Sequence, residues 1–343
     1  MAKAIAKNRK AAYRYTIKKN TVAVVSDGSS VLGLGNLGAE AALPVMEGKA
    51  LLMKELAGID AWPVCLSVQD AGGIVEAVRA VSPVYGGLNL EDIAAPRCFE
   101  VESRLRREME IPVFHDDQHG TAVAALAAVI NALKITGREK ETARVIISGA
   151  GAAGAGVTRL LIRYGFKDIS VTDSRGVISP YRKDLSPVKR EIASLTNPRK
   201  LCCILRDALK GADVFIGVSA GGIVSQKMVE SMNPGPVVLA LANPDPEILP
   251  EEALEAGAAV VATGRSDYPN QVNNILVFPG IWRGVLDSGL RKITGGMLIK
   301  AAEALARYTG VPSSENLLPD PLDKGVCEAV AAAVSSSAYY ARV

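Results

Sequence analysis

Two pairs of acids carry the chemistry that this sequence offers most openly. Asp116 and Asp117 lie side by side in Phe114–Ala122 (FHDDQHGTA), a window that also holds both histidines of the chain, His115 and His119. Glu91 and Asp92 form the second pair, just after the run Gly86–Leu90 (GGLNL). A single aspartate before a helix is commonly a cap, because its carboxylate accepts free N–H groups of the first turn. Two adjacent pairs, each following an apolar run, point instead to hard oxygen ligands. Glu91, Asp92 and one of Asp116 and Asp117 suit Mg²⁺ or Mn²⁺, with coordination positions left for a substrate.

A second chemistry lies in Gly149-Ala150-Gly151-Ala152-Ala153-Gly154, which follows the β-rich run Arg144–Ser148 and opens a helical pattern. That order is the one dinucleotide-binding folds need. Glycines permit a tight turn and close backbone approach, and the helix start offers free N–H groups to a pyrophosphate. Asp173 closes the next apparent strand, near the spacing of roughly 20 residues at which an acid accepts from the adenosine ribose hydroxyls. Its charge favours NAD by repelling a 2′-phosphate, while Arg175 nearby leaves NADP open. A second such loop, Gly33–Gly38 (GLGNLG), is separated from its strand by the polar stretch Ser26–Ser30. The acid nearest the expected spacing, Asp60, comes before the next strand. This loop therefore reads as close packing or substrate-side backbone.

Three further positions hold suitable side chains. Lys49 sits in Met46–Ala50 (MEGKA) within a largely apolar helix, where a lysine either snorkels to solvent or serves a site. Asn243 follows a strand of the nucleotide-binding region, and Asn273 and Asn274 lie in Asn270–Ile275 (NQVNNI). Carboxamides there either hold a substrate carboxylate or the nicotinamide ribose, or simply form turns, as asparagine before proline does.

The elements that must position these residues alternate between short β-rich runs and helical patterns, the mark of parallel sheets with crossover helices. Strands are predicted near Thr21–Val25, Trp62–Leu66, Val84–Tyr85, Ile111–Phe114, Arg144–Ser148, Asp168–Thr172, Asp213–Gly217, Val237–Leu241 and Ala259–Ala262. Helices are predicted between them, including Ala39–Leu56, Cys98–Glu108, Gly120–Lys134, Gly151–Tyr164 and Lys200–Leu209, with a helical tail at Gly280–Ser288, Thr294–Tyr308 and Lys324–Ser335. The expected fold class is α/β, with two parallel-sheet domains and a helical C-terminus. Residues 1–119 form a substrate- and metal-binding domain, and residues 120–343 a Rossmann-type NAD-binding domain with the C-terminal helices.

Whole-chain properties exclude several classes. A length of 343 fits about two domains at ~150 residues each. A net charge of +3 is too small to argue for nucleic acid or an anionic membrane. Five cysteines, an odd number without CxxC spacing, indicate neither a disulfide frame nor a zinc site. The longest apolar stretch, around Ala122–Ile130, falls short of the roughly 18 residues of a membrane span. Met1–Lys19 carries seven Lys or Arg and no acid, as transit peptides do, but lacks serine and runs straight into an apparent strand. It reads as the end of a helix. A cytoplasmic enzyme is expected.

The ordered set of motifs resembles the malic enzymes, specifically the shorter bacterial and archaeal kind. The matching stretches are Thr21–Gly38 (TVAVVSDGSSVLGLGNLG), Ala42–Leu52 (ALPVMEGKALL), Gly86–Glu100 (GGLNLEDIAAPRCFE), Ile111–Val123 (IPVFHDDQHGTAV), Ile147–Gly154 (ISGAGAAG), Ala240–Ile248 (ALANPDPEI) and Ala262–Ile281 (ATGRSDYPNQVNNILVFPGI). They span nearly the whole chain from about Tyr13. The resemblance implies oxidative decarboxylation of malate to pyruvate and carbon dioxide with reduction of NAD or NADP, usually by a homodimer. It implies that Lys49 is the general base, with a pKa lowered by burial and a nearby cation. Glu91, Asp92 and Asp117 are then the metal ligands, Asp116 an aid to proton transfer, Gly149–Gly154 the dinucleotide loop, and Asn243 and Asn274 contacts to substrate or cofactor. Members of that family also carry an earlier Tyr-Thr-Pro-Gly type segment whose tyrosine protonates C3 of the enolpyruvate. No such segment occurs in this sequence, and Tyr13 and Tyr15 fall in a later part of the pattern. Hydride transfer and decarboxylation are then expected to survive while the final tautomerisation slows. The alternative is a non-catalytic or partner-dependent chain that binds NAD and a dicarboxylate.

Overall fold

A computed structural model describes residues 1–340. The chain divides into two compact units. The first comprises Met1–Asp117, Ile275–Ala301 and Leu322–Val343, and the second Gln118–Asn274 and Ala302–Pro321.

The first unit is built on a four-stranded parallel sheet in the order β2-β1-β3-β4, with β1 Thr21–Ser26, β2 Asp60–Cys65, β3 Gly87–Leu90 and β4 Val113–His115. The helices Ala39–Ala57, Ala71–Val81 and Arg97–Glu108 are its crossovers. Strand β1 reads TVAVVS and is buried along its whole length, which is why it lacks the polar alternation of a half-exposed strand.

Two C-terminal segments return to this unit, whereas the sequence reading places all of 120–343 in one domain. The reason is packing. Trp282, in the helix Phe278–Asp287, is completely buried and donates from Nε1 to Asn89 Oδ1 at 3.0 Å. Gly87 of β3 has no side chain because a Cβ there would lie 2.1 Å from the Trp282 ring. The helix Lys324–Tyr340 closes on the same segment, approaching Gly280 so tightly that a Cβ would meet Val330 at 2.7 Å.

The second unit carries a six-stranded sheet in the order β10-β9-β8-β5-β6-β7. Its strands are β5 Arg144–Ser148, β6 Asp168–Asp173, β7 Gly176–Val177, β8 Val214–Gly217, β9 Val237–Ala240 and β10 Val260–Thr263. All pairings are parallel except the short β6–β7 pair, which the sequence pattern did not predict. The order reverses between β5 and β8, and α/β sheets of this kind bind ligands outside the strand ends at that switch point.

Other differences are local. The strand expected at Val84–Tyr85 lies at Gly87–Leu90, after a 3-10 turn at Ser82–Val84. The helix expected over Lys200–Leu209 is confined to Leu205–Ala208. Before it, Asn197 and Lys200 hold positive φ, and Asn197 Oδ1 accepts from Leu201 N at 2.8 Å, so a side chain replaces the helical bonds. Met1–Lys19 is a run of short helices, Ala2–Lys7 and Ala12–Tyr15, with 3-10 turns between and after them. The helix Asp116–Thr136 begins four residues earlier than Gly120, so both aspartates stand in its first turn rather than ahead of it. This helix is long and apolar enough to cross a membrane, contrary to the expectation from its apolar stretch, but 67% of its most apolar 18 residues are buried within the protein.

Candidate active site and metal centre

The first unit gathers four carboxylates and a lysine at the C-terminal ends of β3 and β4. Glu91 and Asp92 follow β3, and its backbone holds them there: Glu91 N donates to Val25 O at 2.8 Å, and Asp92 takes a left-handed φ of 54°. A non-glycine residue in that conformation stores strain of roughly 1–3 kcal/mol, a cost tolerated mainly at functional sites. Asp117 comes from the first turn after β4. Its Oδ2 accepts from Asp92 N at 2.9 Å and lies 3.0 Å from His115 Nε2.

Lys49 enters from the helix Ala39–Ala57 and does not snorkel, being only 8% exposed. Its Nζ donates to the buried Asp116, lies 3.1 Å from Glu91 Oε2 and stands 4.4 Å from the centre of the Phe278 ring. Asn89 Nδ2 donates to the same Glu91 Oε2 at 3.3 Å, and Trp282 in turn fixes Asn89.

Electrostatics follow from this crowding. Burial and the charge of Asp117 push Asp92 up to about 7. Burial and Asp117 likewise raise Glu91 well above the usual carboxylate range. For Asp117 itself burial acts upward, but the His115 hydrogen bond and charge hold it below the ordinary value. Burial lowers Lys49, yet the facing Asp116 and Glu91 more than offset it, and its pKa is raised. The expectation of a lowered lysine rests on burial together with a cation; among the chain's own groups the two carboxylates outweigh burial.

Carboxylates held this close repel one another unless a cation or protons neutralise them. Glu91, Asp92 and Asp117 each bring one oxygen to within 4.8 Å of the others, and Asp92 Oδ2 is buried without a hydrogen-bond partner. Three carboxylates within reach of one another, one of them with an oxygen otherwise without a partner, fit a divalent ion. Among the described residues these are the expected Glu91, Asp92 and Asp117, whereas Asp116 is turned to Lys49. Sequence reasoning assigned no role to His115, although a histidine two residues before a ligand was a usable signal.

The second unit places Gly149–Gly154 as expected, between β5 and the helix Ala152–Tyr164. Gly149 has φ 112°, and a Cβ there would sit 2.5 Å from Val218 O, so only glycine makes this turn. Gly151 is exposed with open space around its Cβ position, which leaves the cradle free for a pyrophosphate. Ala152 and Ala153 begin the helix. Asp173 ends β6 but is not free: its carboxylate accepts from Arg182 at 2.8 and 3.0 Å, from Lys189 at 2.6 Å and from Arg175 N at 2.9 Å. Burial pushes Asp173 up, but Arg182 and Lys189 hold it at about 2. Those two cations were missed by sequence reasoning because they lie in the segment beyond β7. Asn243 is exposed just after β9, and Asn273 and Asn274 are half-buried on the segment that leaves β10. Tyr13 and Tyr15 lie near cations of their own segment, Lys18 and Arg14.

Two family models match the chain. The family described as "Malic enzyme, NAD binding domain" matches residues 118–339, and "Malic enzyme, N-terminal domain" matches residues 2–72. A bifunctional malic/malolactic enzyme of Bacillus subtilis is 52% identical over 95% of this chain and 80% of its own length. An NADP-dependent malic enzyme of Rhizobium meliloti is 47% identical over 98% of this chain, which spans 46% of that longer protein. The crystal structure of an NAD-dependent malic enzyme from Thermotoga maritima superposes with a TM-score of 0.95 at 50% identity, covering 97% of this chain and 89% of that one.

Proposed function

This chain belongs to the malic enzyme family, and from that premise we propose that it oxidises and decarboxylates L-malate to pyruvate and carbon dioxide while reducing a nicotinamide dinucleotide. The observation that carries the site assignment is the convergence of Glu91, Asp92 and Asp117 beside a buried lysine. Those three carboxylates would hold a divalent cation, which would supply Lewis acidity to the substrate hydroxyl and offset the charge that keeps the proton on Lys49.

The chain's own groups then divide the work. Lys49 accepts the C2 hydroxyl proton as hydride leaves C2 for the nicotinamide, and Asp116 orients Nζ and relays the proton through their hydrogen bond. Breaking the bond from C3 to the departing carboxylate leaves an enolate, and Lys49 in its charged form offsets that developing negative charge. A proton delivered to C3 completes pyruvate. The loop Gly149–Gly154 and its helix start hold the pyrophosphate, and Asn243, Asn273 and Asn274 supply carboxamides for substrate carboxylate and nicotinamide ribose. Incubation with L-malate, NAD⁺ and Mn²⁺ is expected to give NADH and pyruvate in equal yield. NADH without pyruvate would place the block after hydride transfer, and neither product would refute the reading.

NAD is the preferred cofactor in this proposal, with Asp173 as acceptor for the adenosine ribose. Arg182 and Lys189 stand ready to bind a 2′-phosphate once that acid is removed. Asp173→Ala is therefore expected to lower kcat/KM for NAD⁺ by about tenfold and to raise it for NADP⁺. Steady-state kinetics with both dinucleotides checks this, and an unchanged ratio would remove Asp173 from the cofactor site.

A further inference from the structure

A chain of hydrogen bonds joins the ends of three adjacent strands of the second unit, and its hub is a carboxylate that the reaction has not yet used. Glu247 is completely buried. Its Oε1 accepts from Ser219 N at 2.8 Å and from Ser219 Oγ at 3.3 Å, and its Oε2 accepts from Ala242 N at 3.1 Å. Ser219 Oγ lies in turn 3.0 Å from Ser148 Oγ. Ser148 is the last residue of β5, directly before Gly149. Ser219 follows β8, and Ala242 directly precedes Asn243 after β9.

A buried carboxylate is costly to desolvate, and it persists only where donors satisfy both oxygens. Here the donors are peptide N–H groups and a hydroxyl. The backbone makes room for it: a Cβ on Gly217 would lie 2.2 Å from the carboxylate carbon, although Gly217 has no positive φ that would call for glycine. The neighbouring Asn243 amide is exposed but lies close to Gly264 on one side, where a Cβ would stand 3.0 Å from its Nδ2.

We propose that Glu247 is a positioning residue for dinucleotide binding, holding the Gly149 turn, Ser219 and Asn243 in fixed register across β5, β8 and β9. The proposal rests on the reading of Gly149–Gly154 and Asn243 as cofactor-binding residues. A glutamine at 247 is isosteric and keeps an acceptor for Ser219, but its NH₂ group opposes the Ala242 N–H and releases the Asn243 side. An alanine releases Ser219 and Ala242 together, and with Ser219 the link to Ser148 at the end of β5.

The test measures NADH affinity by fluorescence, Mn²⁺ binding and thermal unfolding on the full chain. Glu247→Gln is expected to weaken NADH binding about tenfold, and Glu247→Ala more, with Mn²⁺ binding to the first unit unchanged. The KM for NAD⁺ rises in parallel. A lower melting temperature with wild-type NADH affinity would make Glu247 merely structural and overturn the proposal. Gly151→Val, which fills the open cradle, separates the two readings. If it still binds NADH, the cofactor assignment fails; if it loses NADH while Glu247→Gln binds normally, only the role of Glu247 fails. Should Glu247→Gln not fold, Ser148→Ala and Ser219→Ala are each expected to weaken NADH binding a few-fold, and normal binding in both would overturn the proposal.

Discussion

Replacing Asp117 by alanine is expected to lower malate turnover by about a thousandfold or more, the scale of losing Lewis-acid assistance. The substitution removes one of three clustered carboxylate oxygens, and with it the shared acceptor of Asp92 N–H and His115 Nε2. Both the cation and the backbone that strains Asp92 into its left-handed conformation lose their anchor. Asp117→Asn preserves size and an acceptor oxygen but removes the charge. It should therefore fold, bind Mn²⁺ more weakly and recover part of its rate at high Mn²⁺. Rate against Mn²⁺ concentration checks both variants, and wild-type turnover by Asp117→Ala would refute the metal assignment.

Replacing Lys49 by methionine should also abolish most turnover, but with the opposite effect on the metal. A positioned general base contributes about 10²- to 10⁴-fold, so kcat is expected to fall within that range. Methionine keeps the apolar stem packed on the helix but takes a positive charge away from Glu91 and Asp116. Those carboxylates then face the cation without competition, and Mn²⁺ affinity rises or holds where Asp117→Ala loses it. The buried acids left without their partner also destabilise the metal-free protein, by roughly 3–5 kcal/mol for a broken buried pair. Mn²⁺ titration and thermal unfolding, each with and without metal, check the sign. Weaker Mn²⁺ binding in Lys49→Met would contradict the geometry described for Nζ.

Much of this site was legible in the sequence because its signals are local. Asp116 and Asp117 adjoin each other, Glu91 and Asp92 end one apolar run, and Gly149–Gly154 sits between a strand and a helix. Each constrains backbone within a few residues, where spacing can be read directly. What the sequence did not disclose depends on contacts between distant segments. Trp282 returns the tail to the first unit by bonding Asn89, and nothing in the helical pattern of Gly280–Ser288 names that partner. Asp173 reads as a free ribose acceptor until Arg182 and Lys189 are seen to hold it. The sign of the Lys49 shift is a balance of burial against two carboxylates, and only the distances decide it. Glu247 draws its donors from residues just past β8 and β9, contacts that no local pattern discloses.

The most direct test of the central claim is the rate of pyruvate formation from L-malate and NAD⁺ by chelator-treated protein as Mn²⁺ is added back. The triad of Glu91, Asp92 and Asp117 beside Lys49 predicts no turnover without metal and a saturable return of activity, with one ion bound per chain. Full activity in the presence of excess chelator would contradict it.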